Sequence, residues 1–112
     1  MIAYLTHDEV NAALARRLAE RRDLILMVIP VKDAELAAAA EVVILDLDHL
    51  PAEFKRELFE RIGVRKFRHN LAVHSYNLSD SEKTALLAAG VRVVRRLSAA
   101  LLMTSMSWMT PA

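Results

Sequence analysis

The sequence predicts a three-layer α/β domain: a five-stranded parallel sheet with helices on both faces. Three observations predict it. Short runs rich in Val, Ile and Leu recur five times along 112 residues. Each is followed by a polar stretch that carries helix signals. The run Val42-Val43-Ile44-Leu45 is apolar throughout and does not alternate, as expected of a strand buried on both faces. Strands that alternate with helices within one domain pair in parallel through right-handed crossovers.

Taken in order, Ile2 to Leu5 is a short apolar strand. Thr6-His7-Asp8-Glu9 fits a capping box, with Thr6 as N-cap and Glu9 three residues on. The helix that follows places Val10, Leu14 and Leu18 on one face, expected to be the inner one. Leu24 to Ile29 is the second strand, stopped by Pro30. Asp33 to Ala40 reads as a short, Ala-rich helix. Strand three is Val42 to Leu45, with Asp46 and Asp48 at its end. Pro51 suits a first helical position. Phe54, Leu58 and Ile62 line the next helix, which Gly63 ends. Strand four runs from Leu71 to about Ser75. Ser79-Asp80-Ser81-Glu82 is a second capping box. Leu86 and Ala89 face inward, and Gly90 closes that helix. Val91 to Val94 is strand five. Ser98 is expected to cap a last helix through Leu101, Leu102, Met106 and Met109.

Composition narrows the function classes. The chain is long enough for one domain, residues 1–112, with a modest core. No apolar run reaches the ~20 residues that span a bilayer, and the first residues lack a signal-peptide pattern. Cysteine is absent, which excludes disulfides and thiolate sites. These features predict a cytoplasmic protein without membrane contact. The net charge of +1 points to no particular partner. Residues 1–56 carry seven Lys/Arg against ten Asp/Glu, and residues 57–112 carry eight against four. The basic cluster Arg65, Lys66, Arg68 and His69 lacks the interleaved aromatics of a single-strand platform, so a nucleic-acid partner is not expected. The two glycines both sit at helix ends, and neither belongs to a phosphate-binding loop.

The expected strand order is 2-1-3-4-5, the flavodoxin-like arrangement. In such sheets chemistry collects outside the carboxyl ends of the strands. That edge would gather Thr6, His7 and Asp8 from the first loop, Asp46, Asp48 and His49 from the third, and His74, Ser75, Tyr76 and Asn77 from the fourth.

Val42-Val43-Ile44-Leu45-Asp46-Leu47 resembles the strand that carries the phosphoacceptor aspartate in receiver domains of two-component response regulators. Leu71 to Ala89, followed by Gly90-Val91, resembles that family's fourth strand-helix unit. The resemblance covers nearly the whole chain and implies a signalling module, with Asp46 at the phosphoacceptor position. The departures are as informative. Two adjacent acidic residues hold Mg²⁺ in the family; Thr6 and His7 match those positions, with Asp8 one place late. His74 stands where a Thr or Ser ends strand four, with Ser75 beside it. Arg95 and Arg96 stand near the place of the family's Lys. Pro51 is five residues after Asp46, where the family has four.

Transfer to an aspartate needs a metal to bridge carboxylate and phosphoryl oxygens, and a cation for the remaining charge. Asp8 and Asp46 would supply two carboxylates to a weakly held Mg²⁺. The resemblance therefore implies a degenerate receiver with impaired or absent aspartyl phosphorylation, no resident cofactor and no enzymatic activity. Its outputs would be protein partners of a signalling pathway. A homodimer is expected through Met103, Met106 and Trp108 on the last helix.

Other readings stay open. Asp46 is either a residual acceptor, as in an atypical but competent response regulator, or a residue that caps its loop. His7, His49, His74 and Asp46 would suit a Zn²⁺ site or a small enzyme. His7 and His74 would otherwise hydrogen-bond across adjacent loops. A βα interaction module similar to anti-sigma antagonists is a third reading, although their phosphorylatable serine loop is not reproduced here.

Overall fold

A computed structural model describes residues 1–62 and 70–106, the side chains of Ile62 and of residues 102–106 excepted. Gly63 and the basic run Arg65, Lys66, Arg68 and His69 lie outside the described residues. So do the side chains of Met103 and Met106, and Trp108 and Met109, on which the dimer expectation rests.

Five strands, β1 (Ile2–Leu5), β2 (Leu26–Ile29), β3 (Val42–Asp46), β4 (Asn70–His74) and β5 (Arg92–Val94), form one sheet. Its order is β2-β1-β3-β4-β5, and every pairing is parallel. The helices are α1 (Glu9–Arg21), α2 (Ala52–Ile62), α3 (Asp80–Ala88) and α4 (Leu97–Met106). The fold is the three-layer, flavodoxin-like one.

Strand alternation divides the core in two. Ala3, Leu5, Val43, Leu45, Leu71 and Val73 face the layer of α2 and α3, where Leu58 and Leu86 cover them. Ile2, Tyr4, Val42, Ile44 and Ala72 face the other layer, where Ala15 of α1 and Leu97, Ala100 and Leu101 of α4 cover them. With both faces covered, the strands need no polar side, which explains why their sequences run apolar.

Four local expectations are corrected. First, the cap of α1 is Asp8, whose carboxylate accepts from the Asn11 N–H at 2.8 Å. The capping box on Thr6 and Glu9 does not form, because the Thr6 side chain turns inward to Asp46. Second, α1 buries Ala12, Ala15 and Ala19, while Val10 and Leu14 are 73% and 44% exposed. Moving the cap by two residues rotates the helix, and small alanines let it approach the sheet closely. Leu18 alone of the expected face packs partly against the core. Third, the segment after Pro30 is a 3₁₀ helix, Val31–Ala39, broken by non-helical dihedrals at Asp33. Alanines favour helix, but so short a run between two strands packs as a tight connector. Fourth, Ser98 lies inside α4, which already begins at Leu97.

Other signals hold. Ser79 and Glu82 form the reciprocal capping box of α3. Gly90 has φ +82°, and the Val91 N–H returns to the Leu86 carbonyl at 2.9 Å. The Pro51 carbonyl accepts from the Phe54 and Lys55 N–H groups just ahead of α2. At the end of α1, Asp23 takes the left-handed conformation, φ 53°, and the Leu24 N–H reaches back to Ala19. No helix among the described residues is long and apolar enough to cross a membrane.

Candidate functional site

The carboxyl ends of β1, β3 and β4 meet where the sequence places them. In the register, Asp46 stands opposite His74, and Tyr4, Ile44 and Ala72 align two residues earlier. Tyr4, Asp46 and His74 therefore share the face covered by α1 and α4.

Asp46 is 1% exposed. Thr6 Oγ1 donates to its Oδ2 at 2.7 Å, and Asn11 Nδ2 donates to the same oxygen at 3.0 Å. His49 Nδ1 lies 3.2 and 3.1 Å from Oδ1 and Oδ2. His74 Nδ1 stands 3.7 Å from Oδ1. Burial pushes the carboxyl upward, but the hydrogen bonds from Asn11, Thr6 and His49 outweigh it and hold Asp46 below its ordinary range. Asp46 does not cap the following turn with its side chain.

The two histidines beside it move in opposite directions. His49 is raised, because its hydrogen bond to Asp46 favours the protonated ring over a small desolvation cost. His74 is lowered, because its burial outweighs the attraction of Asp46 and a backbone interaction with Arg95. Tyr4 OH lies 3.1 Å from His74 Nδ1. Burial, then the nearby Asp46 charge, push the Tyr4 hydroxyl far above its ordinary range, so it keeps its proton. The phenol and Nδ1 share one hydrogen bond, and the imidazole tautomer sets which of the two donates.

Asp48 acts on the other side. The short 3₁₀ turn Leu47–His49 carries it toward β4. Ser75 Oγ donates to Asp48 Oδ1, and the Tyr76 N–H donates to Oδ2 at 2.7 Å. Ser75 Oγ in turn accepts from the Asn77 N–H at 3.1 Å. Asp48 is thus a tie between two loops.

Asp8 is committed to its cap, and its own N–H donates to Thr6 Oγ1 at 3.0 Å. Asn11 therefore bridges the two carboxylates expected to share a Mg²⁺ ion, its backbone N–H on Asp8 and its side-chain amide on Asp46. His7 leaves the group: its exposed Nε2 accepts from the Val31 N–H at 3.1 Å. His7 thus hydrogen-bonds across to an adjacent loop, as expected, whereas the partner of the buried His74 is Tyr4 of β1. No cluster of three His, Cys, Asp or Glu side chains among the described residues is arranged to hold a metal ion. Arg95 and Arg96 follow β5 and are exposed. A cleft of about 830 Å³ opens beside β1 and β2 along Thr6, His7, Arg16 and Lys32, and Asp46 does not line it.

Asn11 and Tyr4 are the participants that sequence reasoning missed. Both were legible. With Asp8 as the cap, Asn11 is the third helical residue and sits over the strand ends. Tyr4 shares the strand parity of Asp46 and His74, and a buried Tyr hydroxyl needs a partner.

Comparison of the chain with family models, curated protein sequences and solved structures finds no match.

Proposed function

We propose that this chain is a receiver-like protein-interaction module of the signalling kind, in which Asp46 serves as a structural hub and is not phosphorylated. The observation that carries this reading is the surroundings of Asp46. Its carboxylate is 1% exposed and is met by Thr6, Asn11 and His49. An incoming phosphoryl group would have to displace these donors and bring its own charge compensation. Asp8, the nearest candidate for a second metal carboxylate, is engaged as the cap of α1.

On this reading the output is a binding surface, the partner is another protein, and the compartment is the cytoplasm, in keeping with the cysteine-free chain. Self-association through the last helix belongs to the same proposal. Light scattering should detect a dimer that Trp108→Ala weakens.

The phosphorylation claim is tested by adding Mg²⁺ with beryllofluoride to the isotope-labelled protein. The amide resonances of Asp8, Asp46 and Ser75 should stay in place, and acetyl phosphate should leave the mass unchanged. Stoichiometric phosphorylation on Asp46 would make this a competent receiver with unusual ligands and would sink the proposal.

A further inference from the structure

On the opposite face of the sheet lies an apolar groove of about 340 Å³, between the 3₁₀ segment Val31–Ala39 and α2. Its floor is the sheet itself, through Leu5, Val43, Leu45 and Leu71. Its opening has a sequence cause. The wall on the 3₁₀ side is Ala34, Ala37 and Ala38, and the one leucine of that segment, Leu36, is 50% exposed. Alanines are too short to close onto Phe54 and Leu58 of α2 opposite. Lining atoms without partners forfeit dispersion contacts, so an apolar group of fitting size gains by entering.

The mouth of the groove is charged. Glu57 and Arg61 both line it, one turn apart on α2. A Glu four residues before an Arg is the orientation that ordinarily pairs along a helix. Here neither makes an ion pair with a described residue. Among the described residues, two opposite charges thus stand unpaired beside an apolar slot, at the lower end of the size range for small-molecule sites.

We infer that this groove binds a free apolar α-amino acid of the leucine or phenylalanine class. The side chain enters between the alanines and Phe54, the ammonium group meets Glu57, and the carboxylate meets Arg61. The charges select among apolar ligands of this size. A simple carboxylic acid would set its anion beside Glu57, and a simple amine would set its cation beside Arg61. Only a zwitterion satisfies both. The site lies away from Asp46, and the inference does not depend on whether that residue is phosphorylated.

The test is a titration of the whole isotope-labelled chain with L-phenylalanine and L-leucine, followed by amide resonances. Leu5, Val43, Leu45 and Leu71 should shift saturably. Phenylacetate and phenethylamine, each lacking one charge, should bind roughly tenfold more weakly, the loss of one ~1.4 kcal/mol contact. Glu57→Gln and Arg61→Gln should each weaken phenylalanine to a similar degree without moving the melting temperature. Ala37→Leu should fill the groove and abolish binding; if that variant does not fold, the two charge variants decide. No saturable shift of the floor amides at roughly 10 mM amino acid, a concentration that would detect even millimolar binding, overturns the inference. Equal affinity for phenethylamine or phenylacetate also overturns it, since the charges would then play no part.

Discussion

Asp46 and Asp48 leave the same short turn two residues apart and end in different surroundings. Asp46 points to the α1 side, is 1% exposed, and is held by side chains: Thr6, Asn11 and His49. Asp48 points to the β4 side, is half-buried, and is held by a hydroxyl and a backbone N–H of the next loop. Together they tie the loop after β3 to the loops after β1 and β4. The difference lies in what each tie costs to break. A buried carboxylate that loses a donor keeps an uncompensated charge, whereas a half-buried one regains water. The same chemical group is therefore a core element at one position and a surface clasp at the other.

Thr6→Val should have the largest effect. It keeps the shape of the side chain, removes the donor to Asp46, and leaves the Asp8 N–H without its acceptor. Urea unfolding should show a loss of about 2–3 kcal/mol, the upper range for a hydrogen bond to a charged group. A loss below about 0.5 kcal/mol, the size of an ordinary surface change, would mean that Asp46 does not need this donor.

Asp48→Ala should cost less, about 1 kcal/mol, and should act locally. Hydrogen exchange should quicken at the Tyr76 and Asn77 amides and stay unchanged at Asn11. Loss of protection at both loops would mean that the two aspartates form one cooperative unit, and the contrast between them would fail.

The smallest effect is the pH dependence set by the two histidines. His74 is lowered on folding, so its contribution is complete above the ordinary value of about 6.5 and is lost as pH falls through its folded value. His49 is raised, so its contribution is complete below about 6.5 and is lost as pH rises through its folded value. Their sum is a shallow stability maximum near pH 6.5. His49→Gln should remove the fall on the alkaline side, and His74→Gln the rise on the acid side. A profile that either substitution leaves unchanged would contradict the assignment of that histidine.

Much of this was legible in the sequence. Five buried runs and the strand order follow from apolar patterning and the crossover rule, and Asp46 at the end of Val42–Leu45 is placed by its own strand. The second capping box was also readable, because Ser79 and Glu82 meet within one helical turn and the ion pair with Lys55 uses the other Glu82 oxygen. The first was not, because Thr6 had two options. A cap at Thr6 would have left Asp46 short of a donor, and that choice depends on a residue forty positions away. The outward turn of Val10 and Leu14 follows from the same shift and from alanines that pack closer than leucines. His7 was misplaced because its partner, the Val31 N–H, belongs to a loop whose 3₁₀ geometry the alanine-rich sequence hides. The tie of Asp48 to Ser75 and Tyr76 was not readable, because it exists only once β3 and β4 are adjacent.

The most direct test of Asp46 as a structural hub is the unfolding free energy of Asp46→Asn at pH 7. An amide of the same shape keeps one acceptor oxygen but turns an NH₂ group toward donors. A structural Asp46 predicts a loss of roughly 1.5–3 kcal/mol, the range for hydrogen bonds to a charged group. A reactive acid held ready for phosphorylation predicts the opposite, because relieving a functional carboxylate commonly leaves stability unchanged or raises it. An Asp46→Asn variant as stable as the parent, or more so, would contradict the account.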